Sequence, residues 1–260
     1  MSENYFYLTL PSNASLDLHP DNTLTRYATA LPQRIRLSGQ WECGLVEMQY
    51  THSWYNVTSD NTWLGITIDG VDFVVKIETG YYDTPETFIR AINRSIRTVV
   101  KEKKVKMSYN DFTQKVTIHM IQNSSFSVYS LNLQRVLGLP REINTSPENE
   151  KEDGFTTVIE ADSVIDLAQG FYALYVYASV VEPRMVGDSV VSLLRIVPIE
   201  GKHGDLVSKG FDNVQYVSVL HKEFATIEVD IRDDMGRSVP FERGRTTVTF
   251  RFRRRNSTFF

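Results

Sequence analysis

Few residues in this chain have the types and spacing that chemistry needs. His203-Gly204-Asp205 carries the H-x-D spacing that supplies two ligands of a two-histidine, one-carboxylate iron site, and His221 lies downstream as a third. Gly201 and Gly204 flank the pair, and the third ligand would come from almost the next strand, so a surface turn is the better account. Gly201-Lys202-His203-Gly204 can also be read as a phosphate-cradling turn, but no helix start follows it. Neither GxxxxGK[ST] nor a GxGxxG after a strand is present, and there is no GxSxG elbow. Cys43 shares a parity with Trp41 and Leu45, which makes it a buried, inert thiol rather than a nucleophile. Asp230, Asp233, Asp234 and Gly236 spell an acidic turn that could hold a cation weakly; a plain turn after a strand explains them better. The expectation is a protein that is not an enzyme, with no cofactor and no metal.

One stretch does have a pattern. Between positions 243 and 255 there are six arginines, in a chain whose net charge is −4. In 247–253, Val248, Phe250 and Phe252 take one side of a strand, while Thr247, Thr249, Arg251 and Arg253 take the other. Arg254 and Arg255 extend the basic side into a tail. Two readings stand: a solvated face with surface ion pairs, or a basic face turned toward packaged nucleic acid or an acidic neighbouring subunit.

Strand patterns dominate the elements that would position these residues. Asp69-Gly70 between apolar runs predicts a hairpin, and a second hairpin joins 105–109 to 116–120. The single convincing helix starts at Thr84 as N-cap, with Pro85 at N1 and Glu86 at the positive end of the dipole. Its apolar positions, Phe88, Ile89, Ile92 and Ile96, recur at helical spacing and must cap a sheet. A helical turn or two is expected over 131–139. Residues 12–29 read as a polar extended arm or loop, and an arm there could order only on contact with neighbours; 141–154 reads as a charged loop. Strands resume at 155–159 and 164–167 and continue to 246–253.

At 260 residues, with 42% hydrophobic and 12% aromatic residues, the chain can bury a sizeable core. One cysteine rules out a disulfide framework, no signal peptide is visible, and the six sequons mean little without a secretory route. No apolar run reaches the ~18 residues that span a bilayer. The segment 171–181, FYALYVYASVV, has no charge, glycine or proline and is apolar on both parities. Phe171, Tyr175 and Tyr177 share one parity, and Tyr172, Leu174, Val176 and Val180 the other. An insertion or a second chain should therefore cover whichever face is turned from the core. Phe171, Tyr172, Tyr175 and Tyr177 are the candidate subunit-interface residues.

Taken together, FYLTLPS (6–12), LSGQWECGLVE (37–47), Tyr55-Asn56-Val57 and Gly80-Tyr81-Tyr82 form a pattern with Leu137-Gly138-Leu139, LYVY (174–177) and Val186-Gly187-Asp188. LRIVP (194–198), VQYV (214–217) and VPFERG (239–244) complete it. This pattern resembles the penton-like minor capsid proteins of Polinton, or Maverick, elements, related to the pentons of virophages and adintoviruses. The resemblance implies a mainly β, single jelly-roll subunit with an inserted α+β subdomain. The expected division is a jelly roll from 1–61 and 155–260, with 62–154 inserted. It further implies homopentameric vertices of an icosahedral capsid, with a double-jelly-roll major capsid protein as partner; in such a particle the basic face of Arg251, Arg253, Arg254 and Arg255 would turn toward packaged DNA or a neighbouring subunit. Such a protein would reside in the virion, assembled inside the host cell, without a membrane partner. The alternative is a non-catalytic β-sandwich that binds a glycan or a protein ligand.

Overall fold

A computed structural model describes residues 4–100, 104–121, 123–140, 155, 157–169 and 171–255. The charged loop 141–154 and the sequons at Asn144 and Asn256 lie outside the described residues. In chain order the elements begin with β1 (Tyr5–Pro11), β2 (Arg26–Arg36) and β3 (Trp41–Thr51). Next come β4 (Trp63–Ile68), β5 (Val71–Lys76), α1 (Pro85–Val99), β6 (Val105–Asn110), β7 (Lys115–Met120), β8 (Ser124–Val128), α2 (Leu131–Val136) and β9 (Thr157–Glu160). The chain continues with β10 (Ala173–Ala178), β11 (Arg184–Val186), β12 (Ser189–Val191), β13 (Leu193–Pro198) and β14 (Leu206–Gly210). It closes with β15 (Val217–Ser218), β16 (Glu223–Arg232) and β17 (Thr247–Arg254).

Two compact units divide these elements, one of Met1–Trp54 with Phe171–Phe260, the other of Tyr55–Gly170. The first unit has two antiparallel sheets, ordered β1-β17-β3-β14 and β13-β10-β16-β2, with β15 pairing on β3. Setting aside the short β11, β12 and β15, the sheets read first–eighth–third–sixth and fifth–fourth–seventh–second in chain order. That order is the jelly roll, two interlocked Greek keys. Alternation supplies its core: Leu174, Val176 and Ala178 from β10, Ile227, Val229 and Ile231 from β16, and Val248, Phe250 and Phe252 from β17 are all buried. The second unit lies in the β3–β10 connection and has sheets β5-β4-β8 and β6-β7-β9 with its own core.

The helix begins where its cap chemistry predicts. Thr84 is extended, and its Oγ1 accepts a hydrogen bond from the Thr87 backbone N–H at 3.2 Å, ahead of Pro85 in the first turn. Phe88, Ile89, Ile92 and Ile96 are buried in the second core. At the β4–β5 turn, Asp69 and Gly70 have φ of 49° and 78°, the two left-handed residues a tight hairpin needs.

Three expectations are corrected. Residues 12–29 are not an arm awaiting a partner. Asn22 donates to the carbonyls of Ala14 (3.2 Å) and Ala28 (2.9 Å), and the Ala30 N–H donates to Ser15 Oγ at 3.0 Å. The polar side chains of this segment thus satisfy its own backbone, and Tyr27 anchors β2 by donating from its buried hydroxyl to the Leu10 carbonyl. The strand read at 155–159 is β9, yet it pairs with β7 in the second unit rather than resuming the jelly roll. A run of three or four apolar residues does not specify which sheet it joins. Residues 164–167 are not a strand; the Ile165 N–H donates to the Gln114 carbonyl and the Asp166 N–H to the Val136 carbonyl.

Inward and outward rows of β10 should respond differently to truncation. Leu174→Ala is expected to lower unfolding free energy by about 2–5 kcal/mol, whereas Tyr175→Ala should cost less than half as much. Denaturant titration of both variants distinguishes the rows, and equal losses would contradict this placement.

Candidate interface faces

The residues that looked capable of catalysis are used by the backbone. The Asp205 carboxylate accepts from the Lys202 N–H at 2.8 Å, and the Gly204 N–H donates to the His52 carbonyl at 2.7 Å, closing the 201–205 turn. His203 lies edge-on to His52, with ring centroids 6.2 Å apart. No group of three or more His, Cys, Asp or Glu side chains suited to a metal ion exists among the described residues, so His203, Asp205 and His221 do not form a ligand set. Asp233 is nearly buried and closes its own turn by accepting from the N–H groups of Met235 (2.9 Å) and Arg237 (2.8 Å) and from Arg237 Nε (2.7 Å). Cys43 is fully buried, and burial pushes its thiol well up from the ordinary value, which keeps it protonated and unreactive.

What the fold does assemble is two outward sheet faces built from tyrosine and arginine. On the β13-β10-β16-β2 sheet, Ile196, Tyr175 and Arg232 stand opposite one another, and beside them Tyr177, Asp230 and Arg26. Arg232 lies 5.5 Å from the centre of the Tyr177 ring and 2.6 Å from Asp230, while Arg26 pairs with Glu228 at 2.7 Å. Partial burial holds the Tyr177 phenol above its ordinary value, so it remains a hydrogen-bond donor through neutral pH. Tyr175 and Tyr177 are only half-buried, and Ile196 is exposed. Of the other candidates on this segment, Tyr172 is exposed just before β10, and Phe171 packs edge-on against Trp54 at 5.2 Å. Tyr175 and Tyr177 therefore share the outward face, and Phe171 does not stand with them.

The other face belongs to β1, β17 and β3. Tyr5 and Tyr7 are about half exposed and lie edge to face at 5.9 Å. Arg251 covers both, at 4.9 and 5.8 Å from the ring centres, a cation–π arrangement. Arg253 stacks on Tyr216 at 3.5 Å and meets Glu42 at 2.9 Å, and Arg255 approaches the same carboxylate at 3.9 Å. Arg254 is exposed beside Gly39. The tyrosines opposite the arginines were not picked out from sequence. The signal was present in Tyr5 and Tyr7, whose spacing of two matches that of Arg251 and Arg253, and only the β1–β17 register makes it legible.

Gly44 holds this second face together. A Cβ there would sit 2.5 Å from Val214 and 2.7 Å from the Gln215 carbonyl, so only glycine lets residues 214–216 cross β3 and deliver Tyr216 to Arg253. Gly44→Val should destabilise by about 1–3 kcal/mol through overpacking and pull Tyr216 off the arginine. Thermal melting together with a crystal structure of the variant reads both effects; an unchanged Tyr216 position would refute the close-approach argument.

No family model matches the chain, and no curated protein matches it. Among solved structures it is similar to the mavirus penton protein, at 12% identity and a TM-score of 0.51, over 95% of this chain and 99% of that one. A chain in the structure of the Sputnik virophage is similar at 8% identity and a TM-score of 0.49, over 99% of both chains. The chain thus shares the fold of the mavirus penton protein along almost its whole length.

Proposed function

We propose that this chain is a structural, non-enzymatic subunit of a viral-type capsid. It acts as a penton-like minor capsid protein whose five copies close the vertex of an icosahedral particle. The observation that carries this reading is the pair of outward tyrosine–arginine faces on one sandwich. A cyclic ring is built from head-to-tail contacts, in which each copy contributes two different patches. Tyrosine and arginine are the residues that supply area and hydrogen bonds at such contacts. The face with Tyr175, Tyr177 and Arg232 on one copy meets the face with Tyr5, Tyr7 and Arg251 on the next. The fold shared with the mavirus penton protein supports the same assignment.

Finer parts follow from this reading. The ring sits among double-jelly-roll major capsid proteins in a particle of the Polinton or Maverick kind, assembled inside the host cell. Arg251 and Arg253 are engaged by aromatic rings and by Glu42, so they serve the subunit contact. Arg254, exposed at the end of β17, is left for packaged DNA, with Arg255 beside it paired only at 3.9 Å to Glu42.

Native mass spectrometry and electron-microscopic class averages test the proposal. The purified protein is expected to form five-fold rings of five times 29.8 kDa. Tyr7→Ser combined with Tyr177→Ser should abolish the rings while leaving the far-ultraviolet circular dichroism spectrum intact. A monomer at every protein and salt concentration, alone and with the major capsid protein, would overturn it.

A further inference from the structure

The second unit carries a charged groove that the capsid reading does not use. Arg90, Arg94 and Arg97 stand at i, i+4 and i+7 on α1, opposite its buried face, and form one exposed stripe about 10 Å long. They line a groove of about 560 Å³ together with Glu86, Asn93 and Tyr109. None of the three arginines forms an ion pair among the described residues. The groove wall is fixed before any ligand arrives. Asn93 donates from Nδ2 to the Met107 carbonyl and accepts from the Met107 N–H, both at 2.8 Å, which ties α1 to β6.

We infer that this groove binds a sulfated polysaccharide. Guanidinium groups present planar, paired donors that match the oxygens of a sulfate, and three in line match a repeating polyanion. The remaining lining suits a sugar better than a nucleic acid strand. The Glu86 carboxylate repels sulfate and phosphodiester alike, but it can accept hydrogen bonds from the free hydroxyls that a sugar ring offers between its sulfates and a DNA backbone lacks. Among the described residues, Tyr109 is the only aromatic one at the groove, and its ring packs against the core of the second unit, so these residues offer no open platform on which bases stack. The chain as a whole carries a net charge of −4, so retention of a polyanion has to come from a local site rather than from overall charge.

Isothermal titration of the full chain with a heparin-derived octasaccharide tests the inference. Binding is expected at 50 mM NaCl and should weaken steeply by 200 mM. The triple variant Arg90→Gln, Arg94→Gln, Arg97→Gln should weaken it at least tenfold with an unchanged melting temperature; the single variants, each at an exposed position, give graded losses if the triple folds poorly. Arg34→Gln with Arg36→Gln, two arginines of the first unit that pair with Glu223, should leave the affinity as it was. Absence of binding, equal binding of fully desulfated heparin, or losses confined to an Arg254→Gln, Arg255→Gln variant would each overturn the inference. Equal binding of single-stranded oligothymidylate through the same three arginines would overturn the choice of a polysaccharide. Ring formation is scored separately on the triple variant, so failure of this site and failure of the vertex reading are distinguishable.

Discussion

The first unit depends on burial of aromatic surface between its two sheets, and Phe252 is its pivot. This fully buried ring lies parallel to Phe6 at 4.8 Å on the neighbouring strand and stacks on Phe224 of the opposite sheet at 5.7 Å. Phe250 and Val248 continue the same row along β17, and Ile227, Val229 and Ile231 of β16 answer it from the other sheet. Each such side chain removed from water contributes roughly 1.5–3 kcal/mol, far more than any exposed ion pair on the outer faces. Once this row is inward, the pleat leaves no choice about the other row. Arg251 and Arg253 must point out, and their β1 partners in register, Tyr7 and Tyr5, must point out beside them.

That link explains why the outer faces are neither polar nor plainly apolar. Isolated arginines would be solvated and mobile; with a tyrosine ring beneath each, the guanidinium is held flat against the sheet. The same device recurs on the other sheet with Arg232 on Tyr177. A face stiffened in this way loses less side-chain entropy when covered, which is the property an assembly surface requires.

Much of this was legible in the sequence because it is written in local periodicity. The alternation of β17, the Asp69-Gly70 hairpin, and the cap at Thr84 ahead of Phe88, Ile92 and Ile96 all depend on neighbours within a few residues. A strand-rich class, sandwich or jelly roll, and the inertness of Cys43 followed from such patterns, while the single jelly roll rested on the resemblance. Sheet membership did not, because β9 looks like any short apolar run until its pairing with β7 is seen. The order within residues 12–29 was hidden for another reason. Asn22, Ser15 and Thr23 replace apolar anchoring with side-chain hydrogen bonds to the backbone, which hydropathy does not register. The tyrosine–arginine pairs were hidden by distance along the chain.

That distance has a consequence for how the protein is made. The strand that separates β1 from β3 is β17, and Thr9 meets Thr249 across 240 positions of sequence. While a ribosome is still translating the region between them, β1 and β3 have exposed edges and no strand to join them. The described sheets of the second unit pair only among their own strands, so none of them waits for β17. Closure of the sandwich is therefore a late event of high contact order, slow relative to folding of the inserted unit. The face that carries Arg251 and Arg253 comes into being only with that closure, so a chain still on the ribosome presents no such tyrosine–arginine surface.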